Sequence, residues 1–464
     1  MSLVAYFRQS MSSCSAIFCA LALTACSSSD DHEFAGAAGS PAAGGSATSS
    51  GGSSSAGGSA VAAGNPGSGG SGSNAGGSNS GGAAAQAGGS STAGSGGLAS
   101  GSGGVPSAGG STGGSTGGAT STGGSTGGVC RPKFSSGVNV AWFKFASDIP
   151  SPQIDKFTAL FKNVKAAGGS AVRWWFHTNG MVTPGYDASG KAKPISAENI
   201  ADLKKILDAA KAEGVGVVIS IWSFGMLDSG QTSDATVLAN NKLLLENDSN
   251  RQAYIDNVLT PMVTALKAYP GLYAWEIFNE PEGMSSDNGG WTNPAASRTA
   301  TVNLQKTTNW FVSAIRAADP AAIVTSSANN FATLSPSHGK NLWSDSALTT
   351  AGGKANGTLD FYQVHYYNTY SGASANSPFL HPASYWGLDK KVVVGEFWTD
   401  LTDNVASADL YTNLHSSDYL GAWAWQYVSV DNPPPASGAS TIWPAMQAPM
   451  NKLKAAAPAD LTCP

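Results

Sequence analysis

The sequence predicts an α/β chain whose folded part is a (β/α)8 TIM barrel preceded by a disordered linker. Three observations carry this expectation. After Cys130, eight short β-branched or aromatic runs alternate with longer stretches of apolar period near 3.6, the pattern of parallel strands and crossover helices. No Gly-x-Gly-x-x-Gly turn follows the first run, so the main signal for an open dinucleotide-binding sheet is missing. Cys130 and Cys463 bracket the patterned region, as the meeting termini of one closed domain would.

The strands are expected at Gly137 to Trp142, Ala171 to Trp175, Gly216 to Ile221, Leu272 to Phe278, Ile323 to Ser327, Phe361 to Tyr366, Val392 to Glu396 and Gly421 to Tyr427. Helical periodicity fills most of the intervals: Gln153 to Ala167, Ala197 to Glu213, Asn250 to Tyr269, Thr299 to Ala318, Ala406 to Leu420 and a terminal Ala448 to Ala456. Only the fifth connection, Ser327 to Asp360, reads as helix-poor.

Composition separates this domain from what precedes it. Of 58 glycines, 35 fall between Ser27 and Cys130, whereas all 13 tryptophans lie after Cys130, so only the later part can bury a large core. Residues 26–129 repeat Gly-Gly-Ser, Ala-Gly-Gly and Ser-Thr-Gly-Gly units without lysine or arginine, and such a segment is expected to stay a flexible coil. At ~5–6 Å times the square root of length, its roughly 100 residues would span about 50–60 Å. Glycine does not recur strictly every third residue and proline is sparse, which excludes collagen.

Residues 1–25 carry Arg8 and then an apolar stretch too short to span a bilayer, as an export signal does. Leu23-Thr24-Ala25-Cys26 resembles a bacterial lipobox, and the resemblance implies a lipid on the Cys26 thiol; an ordinary secretory signal is the alternative. In an exported chain, Cys130 and Cys463 are expected to form a disulfide. Leaving out Arg8, Asp30, Asp31 and Glu33, the domain carries 24 basic and 27 acidic residues, a balance that points to neither nucleic acid nor an anionic membrane. Any membrane contact is expected through the lipid alone.

In such a barrel the chemistry lies at the carboxyl ends of the strands. Strand two ends in Arg173-Trp174-Trp175, strand four in Asn279-Glu280-Pro281, strand six in His365-Tyr366-Tyr367, strand seven in Glu396-Phe397-Trp398 and strand eight in Trp423-Ala424-Trp425. Glutamates ending strands four and seven are what a retaining glycosidase requires, because barrel curvature can bring them to the ~5–5.5 Å of double displacement. On these residues the stretch from Gly137 to Trp425 resembles the clan A barrel glycosidases, glycoside hydrolase family 5 in particular. The resemblance implies Glu280 as acid/base, Glu396 as nucleophile and Asn279 as donor to the sugar 2-hydroxyl. It further implies that Arg173 and Tyr367 hold the nucleophile and that His365 reaches the sugar or the acid/base.

Other readings stay open at single positions. Arg173 can serve instead as counter-ion to Glu276, which lies four residues before Glu280 and competes with it for the acid role. Glu282 reads as loop surface, and Trp275 and Trp310 as structural. Sugar rings stack on aromatic faces, so the strand-end tryptophans point to a saccharide cleft, with Trp425 as its floor and Trp222 and Trp291 as outer platforms. Where many family members place a histidine, strand three ends in Ser220-Ile221-Trp222-Ser223-Phe224, and His177 is the candidate to replace it. The expected protein is a monomeric endo-acting β-1,4-mannanase that needs no metal or other cofactor, is exported and is lipid-anchored or secreted. An endo-β-1,4-glucanase and a carbohydrate-binding pseudoenzyme are the alternatives.

Overall fold

The computed structural model describes residues 129, 131–368, 373–399, 403–428 and 443–463. The expected export signal, Cys26, Cys130 and the linker up to residue 128 lie outside the described residues.

Eight strands, β1 (Ser135–Asn139), β2 (Ala171–Thr178), β3 (Gly216–Ser223), β4 (Leu272–Asn279), β5 (Val324–Ala328), β6 (Tyr362–Tyr366), β7 (Val392–Phe397) and β8 (Gly421–Ala424), pair in parallel and in sequence order. β8 returns to β1 and closes the barrel. The connections carry α1 (Ile154–Ala166), α2 (Ala197–Ala212), α3 (Ala235–Glu246), α4 (Asp248–Tyr254), α5 (Thr260–Leu266), α6 (Thr301–Ala318), α7 (Phe331–Leu334), α8 (Asp345–Gly352) and α9 (Leu410–Ser416), and α10 (Trp443–Ala456) ends the described domain. Among the described residues no helix is long and apolar enough to cross a membrane.

Two apolar clusters hold the barrel. Outside it, helix stripes such as Phe157, Leu160, Phe161 and Val164 of α1 pack on outward strand residues such as Trp174. Inside it, Ala171, Val218, Tyr273, Ala274, Val393 and Trp423 from five strands, with Phe361 just before β6, plug the lower half. Tyr273 of β4 and Trp423 of β8 meet across this plug at 6.3 Å. The upper half is left to polar side chains.

The expected strands all form, with ends moved by a few residues. Three helices lie where none was expected. The fifth connection contains the one-turn α7 and also α8, the latter capped by Ser344 and closed by left-handed Gly353, and the stretch 223–247 contains α3, capped by Asp234. Neither α3 nor α8 has a clean apolar stripe: α3 runs Leu243-Leu244-Leu245 consecutively, and α8 is built mostly of small residues. The expected helix Asn250 to Tyr269 is α4 and α5 joined by a π-helical turn, Ile255–Leu259. Pro261 has no N–H to give the Asn257 carbonyl, which accepts instead from Ile195 N at 2.9 Å.

Register shifts interrupt four ladders: β2–β3 between Trp175 and Thr178, β3–β4 between Val217 and Val218, β4–β5 between Glu276 and Asn279, and β6–β7 between Val364 and His365. All but the β3–β4 shift, near the start of its strands, fall at or next to the residues expected to carry chemistry. A shift of one residue reverses which way a side chain points, so these irregularities place the site.

Candidate active site

Arg173 is the centre of the polar half. Fully buried on β2, it donates from Nε and Nη2 to both carboxylate oxygens of Glu276 at 2.6 Å each, and from Nη1 to Glu396 Oε1 at 2.6 Å. Its remaining donors meet Asn139 Oδ1 at 2.9 Å and Asn279 Oδ1 at 2.7 Å. Burial pulls its pKa down, but Glu276 and then Glu396 outweigh burial and hold it above the ordinary value. Both sequence readings of Arg173 therefore apply at once. Glu276, with both oxygens taken by Arg173 and one also accepting from Ser327 Oγ at 2.8 Å, is a buried anchor that faces away from acid chemistry.

Glu280 follows β4 in a left-handed conformation, φ 47° and ψ 58°. In a continuing strand Asn279 and Glu280 would face opposite sides; the left-handed turn brings both to the barrel mouth. Ser327 O and Gly283 N, each 3.1 Å from the Glu280 backbone, hold the turn. Burial pushes the Glu280 carboxyl up to about 7, against the pull of Arg173 and with a smaller push from Glu276.

Glu396 accepts from Arg173 and from the Tyr367 hydroxyl at 2.7 Å. Burial raises its pKa, and His365, Arg173 and Tyr367 work against that rise by favouring the ionised form. His365 Nδ1 lies 2.7 Å from Glu280 Oε1 and 3.5 Å from Glu396 Oε2. Burial lowers the imidazole to about 4, so it is neutral at neutral pH. One atom from each of Glu280, His365 and Glu396 lies within 4.8 Å of the other two. That triangle has the makings of a cation site, but the Arg173 guanidinium already supplies the positive charge and His365 Nδ1 is engaged by Glu280.

Asn279 spends its carbonyl on Arg173, and its amide group has only a 3.4 Å contact with Ser223 Oγ. It can donate upward into the cleft. Trp425 is partly exposed and lies beside Glu396, its backbone N bonding Phe397 O at 2.9 Å. Trp175 and Trp142 extend it into an aromatic wall, with ring centroids 5.7 Å from Trp425 to Trp175 and 5.3 Å from Trp175 to Trp142.

Three expectations are corrected. Trp222 is not an outer platform: it is 1% exposed and packs against His177 and Tyr254 on the helix side. His177 does not take the place of a strand-three histidine, because the β2 register shift turns it toward α4, where its nitrogens meet Thr183 Oγ1 at 2.8 Å and Tyr254 Oη at 3.0 Å. Burial lowers it to about 3. Glu282 is buried, not loop surface, and accepts from Trp343, Thr333 and Asn329. Trp291 is partly buried against Phe224 beside the turn after Glu280.

Asn139 and Ser327 are supporting residues that the motif reading passed over. Asn139 Nδ2 donates to Gly395 O at 2.8 Å and Trp423 O at 2.9 Å, tying β1 to β7 and β8 beneath Glu396. Little in the sequence marked them, because β1 (Ser-Ser-Gly-Val-Asn) and β5 (Val-Thr-Ser-Ser-Ala) are rich in polar residues throughout.

A closed parallel barrel whose carboxyl-end mouth brings an oxygen of each of two glutamates within 4.8 Å, beside an aromatic wall, defines a glycoside hydrolase. The family described as Cellulase (glycosyl hydrolase family 5) matches residues 134–428, and the chain belongs to that family. It is 34% identical to a mannan endo-1,4-beta-mannosidase of Cryptopygus antarcticus, covering 64% of this chain and 81% of that protein. A mannan endo-1,4-beta-mannosidase of Mytilus edulis is 32% identical over 64% of this chain and 84% of its own length. The structure of the Mytilus edulis beta-mannanase superposes with a TM-score of 0.61 at 30% identity, over 69% of this chain and 92% of that one.

Proposed function

We propose that the protein is an endo-acting, retaining β-1,4-mannanase with Glu280 as acid/base and Glu396 as nucleophile. The observation that carries the mechanism is the separation of the two carboxyls. One oxygen of each lies within 4.8 Å of the other, which suits the ~5–5.5 Å of a retaining pair better than the ~6.5–9.5 Å of an inverting one. The mannan preference rests on the relatives at 34% and 32% identity, both mannan endo-1,4-beta-mannosidases.

In the first step Glu396 attacks the anomeric carbon while Glu280 delivers its proton to the departing glycosidic oxygen. Arg173 and Tyr367 keep Glu396 ionised and aimed. With His365 neutral, its Nδ1–H donates to Glu280 Oε1 and leaves the Glu280 proton on Oε2, free for the leaving group. In the second step Glu280, now a base, takes a proton from water as that water attacks the glycosyl–Glu396 ester, so the product keeps the β configuration. Asn279 donates to the 2-hydroxyl, and Trp425 is the stacking floor beneath the reacting sugar.

Product analysis on mannan, glucomannan, carboxymethylcellulose and xylan tests the substrate: oligomannosides of mixed length are expected, and cleavage of carboxymethylcellulose alone would replace this reading with the glucanase. Proton NMR of early product should show the β-anomer first. Glu396→Ala should lower turnover by at least ~10⁴-fold with the fold intact, and wild-type rates in that variant would sink the assignment.

The delivery system is proposed on sequence: export by residues 1–25, a lipid on Cys26 and a tether to residue 129 holding the enzyme near a cell surface. We assign Cys130 and Cys463 as disulfide partners. Supporting this pairing, Phe134 N bonds Asp460 O at 3.0 Å and Lys133 pairs with the Asp460 carboxylate at 3.0 Å, so the two domain ends lie side by side.

A further inference from the structure

Glu282 takes no part in that mechanism, yet it is one of the most enclosed carboxyls of the domain, 2% exposed and two residues past Glu280. Its contacts are all neutral donors: Trp343 Nε1 at 2.7 Å and Thr333 Oγ1 at 2.9 Å on one oxygen, Asn329 N at 3.3 Å on the other. All three come from the connection between β5 and β6. Burying a carboxyl with no cation against it is unfavourable, and an apolar residue would fill the space at less cost. Burial raises it to about 7, with the nearby Glu280 adding to the rise.

What the carboxyl does is tie one turn to one neighbour. Glu282 sits in the short helical turn Pro281–Met284, whose first residue follows the left-handed Glu280 directly. Within its own connection the turn is held by Trp291 N and Thr292 N on Gly283 O and by Thr299 N on Met284 O. The Glu282 side chain ties it outward to a different connection, reaching the loop after β5, α7 and Trp343 together.

We propose that Glu282 is a positioning residue for Glu280: its carboxyl clamps the turn after β4 to the β5–β6 connection and so keeps the left-handed Glu280 aimed at the leaving oxygen. The inference rests on Glu280 being the acid/base. A displaced acid harms departure of a sugar, which needs a proton, far more than departure of dinitrophenolate, which needs none.

The test measures kcat/KM for mannopentaose and for dinitrophenyl β-mannobioside in the wild type, Glu282→Leu, Thr333→Val and Glu280→Ala. Glu282→Leu, which removes every acceptor of the clamp, is expected to lose ~10- to 100-fold on mannopentaose and less than about threefold on the dinitrophenyl glycoside. Thr333→Val removes one donor at the partly buried edge of the clamp and should show the same split at smaller size, which keeps the test available if Glu282→Leu does not fold. Equal losses on both substrates, or no loss on either, would overturn the positioning role. Glu280→Ala should show the same split at ~10²–10⁴-fold; if it cleaves mannopentaose at the wild-type rate, the assignment of the acid/base fails instead.

Discussion

Arg173 serves two carboxylates with a planar fork, one edge on Glu276 and one nitrogen on Glu396, at 2.6 Å in each case. An ammonium is a single point of charge and cannot reproduce both contacts. Arg173→Lys should therefore leave one buried carboxylate short of its partner, lowering stability by about 3–5 kcal/mol in denaturant melts and kcat/KM by at least ~10²-fold. In their proposed roles the two glutamates set the pH range. As acid/base, Glu280 would have to hold its proton for the first step, so kcat/KM should fall as pH rises through about 7, where the Glu280 carboxyl ionises. As nucleophile, Glu396 would have to be ionised, and because burial raises its pKa the acid limb should lie above the ordinary carboxylate range. A pH profile of kcat/KM on mannopentaose checks both limbs; Glu280→Gln should remove the alkaline one. These residues were legible as types at strand ends, since a carboxylate in an apolar strand stands out locally. Their partners were less so. Glu282 reads as surface because nothing in its neighbours announces Trp343, 61 positions away.

At the scale of elements, the connections after β2 and β3 act as one unit. Asn241 of α3, fully buried, donates to Asn179 O at 2.8 Å and Met226 O at 2.9 Å, and accepts from the Tyr186 hydroxyl. Thr232 Oγ1 meets Asn179 O at 3.0 Å and Gly225 O at 2.7 Å. Asn241→Ala should cost about 1–3 kcal/mol, read as a lower midpoint in urea, because buried carbonyls lose their donor. The sequence shows these stretches as loops without a signature. Helix α3 stayed hidden because its buried face includes an asparagine, so the apolar period that marks a helix is broken by the residue that matters most to its packing. The short α7 and α8 stayed hidden as well, whereas the helices with regular stripes were readable to within a few residues.

For the whole molecule, closure of β8 on β1 places the two chain ends of the barrel together, and the proposed Cys130–Cys463 disulfide would lock them there. Cys463→Ser should lower stability by about 2–5 kcal/mol while leaving kcat unchanged, because the ends lie at the floor and the cleft at the opposite mouth. Non-reducing peptide mapping of the wild type should find the two cysteines joined; free thiols at both would end the pairing. By itself the amino-acid order determined the eight-fold alternation of strand and helix and the presence of two glutamates at strand ends, because each is a property of a short window of chain. Tertiary structure decided the rest: that Glu280 and Asn279 share a face, that His177 and Trp222 turn away from the cleft, and that Arg173 bridges both carboxylates. Those outcomes depend on one-residue register shifts and on a left-handed turn, which arise from pairing between strands far apart in sequence and leave no local trace in composition or period.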